Sequence, residues 1–251
     1  MPRRLGQHFL HHRSILDRIA AAACPEEEPL VIEIGPGKGA LTMPLLARAE
    51  HVVAIEFDPL LAADLEARHE PRLTVVHGDF LKVDLTPWPA TVIAGNLPYY
   101  ITSPILEKVL PMPIKHAVFL MQKEVAERLV AVPGTREYGY LTVFTRLYAE
   151  PKLLFTVPPG SFQPPPKVDS AVVRLTRVPP SPDISDTAAF LKFVSACFMH
   201  KRKTLRNNLS GLYGREALDR FPEAGKRAEQ LAVSELAALF ARLQNLNEKP
   251  C

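Results

Sequence analysis

Short apolar runs alternate with segments of helical periodicity along the first two thirds of the chain. Runs at 30–34, 52–56, 73–78, 91–94 and 117–121 have strand length, and apolar residues recur at helical spacing in 40–48, 60–69, 103–110 and 123–130. Strands spaced by helices predict βαβ units and a mostly parallel sheet. A helix at 138–148 follows, then strands at 152–157 and 171–175, the second after the proline-rich loop FQPPPK. These two predict a terminal hairpin, so the sheet should end in an antiparallel strand. From 187 onward only helical periodicity remains, as in AAFLKFVSACF and SELAALFARL, where Ser234 is expected to cap a helix with Glu235 in its first turn. The change in pattern puts a boundary at 178–186, dividing an α/β domain (1–180) from a small all-helical one (186–251).

The strand ends carry the candidate chemistry, because open α/β sheets bind ligands beyond the carboxyl ends of their strands. The first run leads into VIEIGPGKGALT, with Glu33, Gly35, Gly37 and Gly39 at the turn. Glycines there let the backbone turn tightly and approach a nucleotide without Cβ clashes. The second run ends at Glu56, 21 residues beyond Gly35, where an acid can accept both hydroxyls of a ribose. The third ends at Asp79, placed to accept from an adenine amine. Gly35, Gly37 and Ala40 also satisfy GxGxxA, so an NAD-dependent oxidoreductase remains an alternative.

The fourth run ends in GNLPYYIT, residues 95–102. An exocyclic adenine amine is a poor nucleophile because its lone pair is delocalised into the ring. The side-chain oxygen of Asn96 and a main-chain carbonyl at Leu97 or Pro98 can accept its two N–H bonds and so favour a pyramidal nitrogen. Pro98 holds Leu97 extended and fixes the carbonyl direction. Tyr99 offers a flat face for a flipped base, worth about 1–3 kcal/mol. The sulfonium methyl of S-adenosylmethionine then needs only an in-line approach, and no metal is required.

Composition narrows the setting. The 251 residues are 47% hydrophobic, enough for a real core, and no apolar run approaches the roughly 20 residues of a membrane-spanning helix. The N-terminal stretch is basic but lacks the apolar region of a secretory signal. Cys24, Cys197 and Cys251 have neither metal-ligand nor CxxC spacing, which suits a reducing, cytoplasmic setting. Net charge is only +3, but Arg202, Lys203 and Arg206 crowd the segment HKRKTLRNN, where they are expected to share one side of a helix and meet phosphates.

Taken together, GQHFL (6–10), EIGPGKGALT (33–42), IEFDP (55–59), GDFLKVD (78–84), GNLPYYIT (95–102), QKEVAERL (122–129), FQPPPKVDSAVVRL (162–175) and HKRKTLRNNL (200–209) resemble the ribosomal RNA adenine N6-dimethyltransferases. The likeness is to the bacterial small-subunit (KsgA-type) branch rather than to the Erm-type resistance enzymes. It implies a Rossmann-like class I methyltransferase domain and a C-terminal rRNA-binding helical domain. It implies that an N-terminal segment (1–13) closes over S-adenosylmethionine, with His8, Leu10, Gly35, Gly37, Glu56, Asp79 and Asn96 around the cofactor. Asn96, Leu97, Pro98 and Tyr99 would handle the target adenine, and Phe162 would supply a second stacking face. The implied reaction is dimethylation of two adjacent adenosines in the 3′-terminal hairpin of 16S rRNA, in a partly assembled 30S subunit. With no exposed apolar stripe standing out in the sequence, a monomer is expected, and the short apolar runs predict no membrane partner. A non-catalytic ribosome-assembly factor on the same fold is the alternative from a different class.

Overall fold

The computed structural model describes residues 8–179 and 184–247, so most of the expected N-terminal cover, including Gly6 and Gln7, lies outside the described residues. Two compact units emerge, one of Met1–Ala126 with Ala149–Arg177, the other of Glu127–Tyr148 with Val178–Cys251.

The first unit is built on strands β1 (Phe9–Leu10), β2 (Glu28–Ile34), β3 (Ala49–Glu56), β4 (Leu73–His77), β5 (Val92–Asn96), β6 (His116–Gln122), β7 (Ala149–Val157), β8 (Phe162–Gln163) and β9 (Ser170–Arg177). Seven of them form one sheet in the order β4-β3-β2-β5-β6-β9-β7, while β1 and β8 pair separately. The strands from β4 to β6 run parallel, and β9 is antiparallel to both β6 and β7. The antiparallel strand therefore lies one place in from the edge, not at the edge. The first five positions follow the doubly wound Rossmann order, and β2 is the point where the order reverses, which is where such sheets bind ligands.

Local chemistry explains the flanking helices α1 (Arg13–Ala23), α2 (Thr42–Leu46), α3 (Pro59–Glu66) and α4 (Thr102–Val109). In α1 the buried residues Leu16, Ile19, Ala20 and Ala23 recur at three- and four-residue spacing, one stripe facing the sheet. Asp58 starts α3 by accepting from the N–H groups of Leu60 (2.9 Å) and Leu61 (3.4 Å), with Pro59 at the first helical position. The core beneath α1 and α2 joins Leu16, Ile19, Leu41 and Leu45 to Val31, Val52, Val92 and Val118.

Gly95 is the tightest point of the sheet. A Cβ there would lie 2.6 Å from the carbonyl oxygen of Ile34, a backbone atom that cannot swing aside. Gly95→Ala is expected to destabilise the protein by about 1–3 kcal/mol, read as a lower midpoint in chemical denaturation. An unchanged midpoint would show that β2 and β5 can separate freely.

The second unit takes residues from α5 (Lys123–Val130), α6 (Tyr140–Tyr148), α7 (Thr187–Cys197), α8 (Leu205–Tyr213), α9 (Arg215–Leu218) and α10 (Val233–Asn247). The chain crosses between the units three times, after Ala126, after Tyr148 and after Arg177; the last crossing adjoins the expected boundary at 178–186, whereas residues 127–148 belong to the second unit and not to the α/β body. Tyr138, Val143 and Leu147 instead bury against Phe190, Phe193, Leu239 and Phe240. Periodicity identified that helix without saying which core its apolar face would meet. The cap of α10 also differs from expectation. The helix starts at Val233, and Glu235 Oε2 accepts from the Ala232 N–H at 2.8 Å, which leaves Ser234 inside the first turn. Among the described residues no helix is long and apolar enough to cross a membrane.

Candidate active site

Four neighbouring strands end in one cavity of about 590 Å³, within the range of small-molecule sites. In sheet order, β4 delivers Asp79, β3 Glu56, β2 the Gly35–Gly37 turn and β5 Asn96. Of the residues singled out by sequence for cofactor or base, His8, Leu10, Gly35, Gly37, Glu56, Asp79, Asn96, Leu97, Pro98 and Tyr99 all line it.

Glu56 is only 3% exposed. Its Oε2 accepts from the Gly37 N–H at 2.9 Å and its Oε1 from the Asp58 N–H at 2.8 Å. Each oxygen keeps a lone pair for a further donor, as two ribose hydroxyls would need. Gly37 has φ +57°, and a Cβ there would come within 2.9 Å of the Phe9 ring, so the turn and the N-terminal segment fit only with glycine at this position. Asp79 Oδ1 accepts from the Leu81 N–H at 3.0 Å, which fixes the carboxyl at the strand tip.

Lys108, a residue sequence reasoning missed, braces that tip from α4. Its ammonium donates to the carbonyls of Phe80 and Val83, both at 2.6 Å, and sits 5.0 Å from the Phe80 ring centre. Burial lowers its pKa, while Asp79 and Asp84 pull it back up.

The Asn96 amide nitrogen donates to the His8 carbonyl at 3.0 Å. A carbonyl only accepts, so the amide oxygen is the atom left free. The Pro98 carbonyl accepts from the Ile101 N–H (3.1 Å) and Thr102 Oγ1 (3.2 Å), closing the turn after β5. Tyr99 is held by a 2.7 Å hydrogen bond between its hydroxyl and Ser170 Oγ. Burial raises its phenol pKa, and the Ser170 bond partly offsets this. The His8 ring lies against the Tyr99 ring, centres 5.8 Å apart and planes 28° apart, and its Nδ1–H donates to the Pro164 carbonyl at 2.8 Å.

Phe162 is not brought into the cavity. It pairs in register with Leu10 and is 3% exposed, packed in the core with Leu10, Leu16 and Val157. Alternation along β8 sends Gln163 to the cavity in its place. Arg202 and Lys203 also depart from expectation, since both precede α8 and are not on it; they are exposed. Arg206 lies on α8 but is paired with Asp219 at 2.7 Å.

The sheet order and the strand-tip acids leave the chemistry to the sequence as a whole. The sequence profile described as ribosomal RNA adenine dimethylase matches residues 2–246. The chain belongs to that family. Similar dimethylase-family proteins include the ribosomal RNA small subunit methyltransferase A of Xanthomonas euvesicatoria pv. vesicatoria, 45% identical over 96% of this chain and 94% of its own. The Bacillus licheniformis protein of the same name is 40% identical over 96% of this chain and 91% of its own. Among solved structures, a dimethyladenosine transferase from Plasmodium falciparum superposes with a TM-score of 0.79 at 29% identity, covering 96% of this chain and 98% of that one. The 23S rRNA methyltransferase ErmE gives 0.72 at 32% identity, covering 94% and 99%. The Rossmann-like class I methyltransferase fold implied by the motifs is thus the fold of this ribosomal RNA adenine dimethylase.

Proposed function

We propose that this chain transfers methyl groups from S-adenosylmethionine to N6 of two adjacent adenosines in the 3′-terminal hairpin of 16S rRNA, acting on a partly assembled 30S subunit. The observation that carries the reading is that one cavity holds both the acids suited to an adenosyl cofactor, Glu56 and Asp79, and the Asn96–Tyr99 group suited to an adenine amine.

The residues present fit the cofactor. Glu56 would take the ribose hydroxyls, Asp79 the cofactor's adenine amine, and the Gly35–Gly37 turn would let backbone approach closely. When bound, S-adenosylmethionine supplies an electrophilic methyl group. The free oxygen of Asn96 accepts one N–H of the target amine. Because the Pro98 carbonyl is engaged within its own turn, the second acceptor is the Leu97 carbonyl. Both bonds hold the lone pair out of the ring, and they strengthen as N6 gains positive charge during transfer.

Tyr99, fixed by Ser170, is the stacking platform, and the His8 ring that covers it turns away as the base arrives. With Phe162 in the core, Tyr99 is the face on which recognition of the base rests. The exposed Arg202 and Lys203 would meet rRNA phosphates, with Arg206 joining them only if it leaves Asp219. The reading places the protein in the cytoplasm, as a monomer.

The direct test is incubation with S-adenosylmethionine and small subunits that lack the modification, followed by RNA digestion and mass spectrometry. N6,N6-dimethyladenosine at the two hairpin adenosines is the expected product. Product elsewhere in the RNA would overturn the substrate, and none at all, with cofactor bound, would overturn the reaction and favour the assembly-factor alternative.

A further inference from the structure

Between the end of β4 at His77 and the start of β5 at Val92, residues 78–84 belong to no strand or helix, yet they carry Asp79, the acid proposed to meet the cofactor's adenine amine. The loop is folded tightly on itself. The Asp79 carbonyl accepts from the N–H groups of Lys82 (2.8 Å) and Val83 (2.9 Å), and the Asp79 carboxylate from the Leu81 N–H at 3.0 Å. A Cβ on Gly78 would lie 2.9 Å from Cγ2 of Val83, so the chain closes back on its own start. That start is anchored by the Gly78 N–H on the Glu56 carbonyl at 2.8 Å. The bonds around Asp79 itself run within the loop, so they fix its shape and not its direction.

Lys108 supplies the direction. Its ammonium reaches from α4 to the carbonyls of Phe80 and Val83, each at 2.6 Å, and lies 5.0 Å from the Phe80 ring centre. Hydrogen bonds from a charged donor are about twice as strong as neutral ones. The described residues that line the cavity include Asp79, Phe80 and Leu81 but not Lys108, so the lysine acts on the site through the loop. The same helix opens on the target-base turn, with Thr102 Oγ1 on the Pro98 carbonyl at 3.2 Å. One lysine thus ties the loop for the cofactor's base to the helix that closes the turn for the target base. A second cation near Asp79 is a poor substitute: Lys82 Nζ is 3.9 Å from Oδ2 on a side chain 85% exposed, where an ion pair contributes little.

We propose that Lys108 is a positioning residue that sets the base specificity of the cofactor site, aiming the Asp79 carboxylate at the amine that distinguishes adenine from a 6-oxo purine. The inference rests on the S-adenosylmethionine reading and deepens it. A carboxylate aimed correctly accepts from an exocyclic amine and repels the carbonyl oxygen that hypoxanthine carries at the same place. A site built to hydrogen-bond one group rejects the analogue without it only while its own group stays in position. Selectivity is therefore the property most sensitive to a loss of aim. Methyl transfer takes place at the other end of the cofactor and is not.

The test is calorimetry of the whole protein with 5′-methylthioadenosine and 5′-methylthioinosine, two neutral ligands that differ only in the base. The wild type is expected to favour the first by about 10–100-fold, the scale of one hydrogen bond to a charged group. Lys108→Met keeps an apolar stem beside Phe80 and loses the charge and the donors. It should cut that ratio by about tenfold and raise KM for S-adenosylmethionine by a similar factor, with the loss in KM and not in kcat. Lys108→Arg can still donate to both carbonyls and should restore most of the ratio, and Lys82→Met should leave it intact. In an Asp79→Ala background Lys108→Met should change nothing further, since its effect passes through that carboxylate. A Lys108→Met protein that keeps the wild-type ratio, or loses affinity for both ligands equally, overturns the inference and leaves the cofactor reading standing. An added loss in the Asp79→Ala background does the same. A wild type that binds S-adenosylmethionine without preferring the adenine ligand overturns the role of Asp79 and this inference with it, and one that does not bind S-adenosylmethionine overturns the cofactor reading itself. The ratio is read from folded protein alone, so partial unfolding of Lys108→Met does not disguise the answer; if none folds, Lys108→Gln is read in the same way.

Discussion

Asn96→Ala is expected to lower the methylation rate by about 10²–10³-fold, the loss typical when one preorganised hydrogen-bonding group is removed from a reacting centre. The substitution deletes the one side-chain acceptor for the amine and leaves the Leu97 carbonyl alone. It also deletes the amide nitrogen that holds the His8 carbonyl at 3.0 Å, so the N-terminal segment loses a tie on the same side of the cavity. Fold stability should change little, because Asn96 is only half-buried. Single-turnover kinetics separate the two consequences. A defect in the chemical step persists at saturating cofactor and RNA, whereas a loosened segment shows as weaker binding that saturation cures. Full activity in the variant would remove Asn96 from the reaction.

Glu56→Ala should act on binding rather than chemistry. The carboxylate is proposed to accept two ribose hydroxyls, and hydrogen bonds to a charged group contribute about 1.5–3 kcal/mol each. Cofactor affinity should therefore fall by about 100-fold or more, measured by calorimetry. The same carboxylate accepts the N–H groups of Gly37 and Asp58 at a site 3% exposed. Alanine would leave both donors unpaired, so the variant should also unfold at a lower temperature, and the glycine turn should lose its shape. Glu56→Gln can accept through one oxygen only and should fall between the two. Wild-type affinity in Glu56→Ala would mean the ribose is held elsewhere.

What could be read from the sequence, and what could not, divides along physical lines. Asp79, Glu56, the glycine turn and Asn96 were legible because each follows an apolar run, and the parallel topology that those runs imply gathers their ends on one side. The pairing of β1 with β8 was not legible. Each strand has two residues, and the partners lie more than 150 positions apart, as in Phe9 with Gln163. That pairing decides the fate of Phe162, since opposition to Leu10 turns its ring into the core. Lys108 looked like any helical lysine, because nothing local shows that two carbonyls of another loop wait within reach. The basic cluster was legible as charge and misjudged as geometry, for α8 begins only at Leu205.

The division of the chain has a bearing on how the molecule is made. The polypeptide passes between its two units after Ala126, after Tyr148 and after Arg177. When synthesis has reached Arg177, every strand of the main sheet has been made, while Tyr138, Val143 and Leu147 still lack Phe190, Phe193 and Phe240, the residues they are to bury against. The growing chain thus carries an apolar helix face in waiting, at the stage when such faces invite misassembly. A protein cut off at residue 177 would keep that face uncovered permanently, and a fragment starting at 178 would lack part of its own core. Neither unit can be shed or exchanged by a single break.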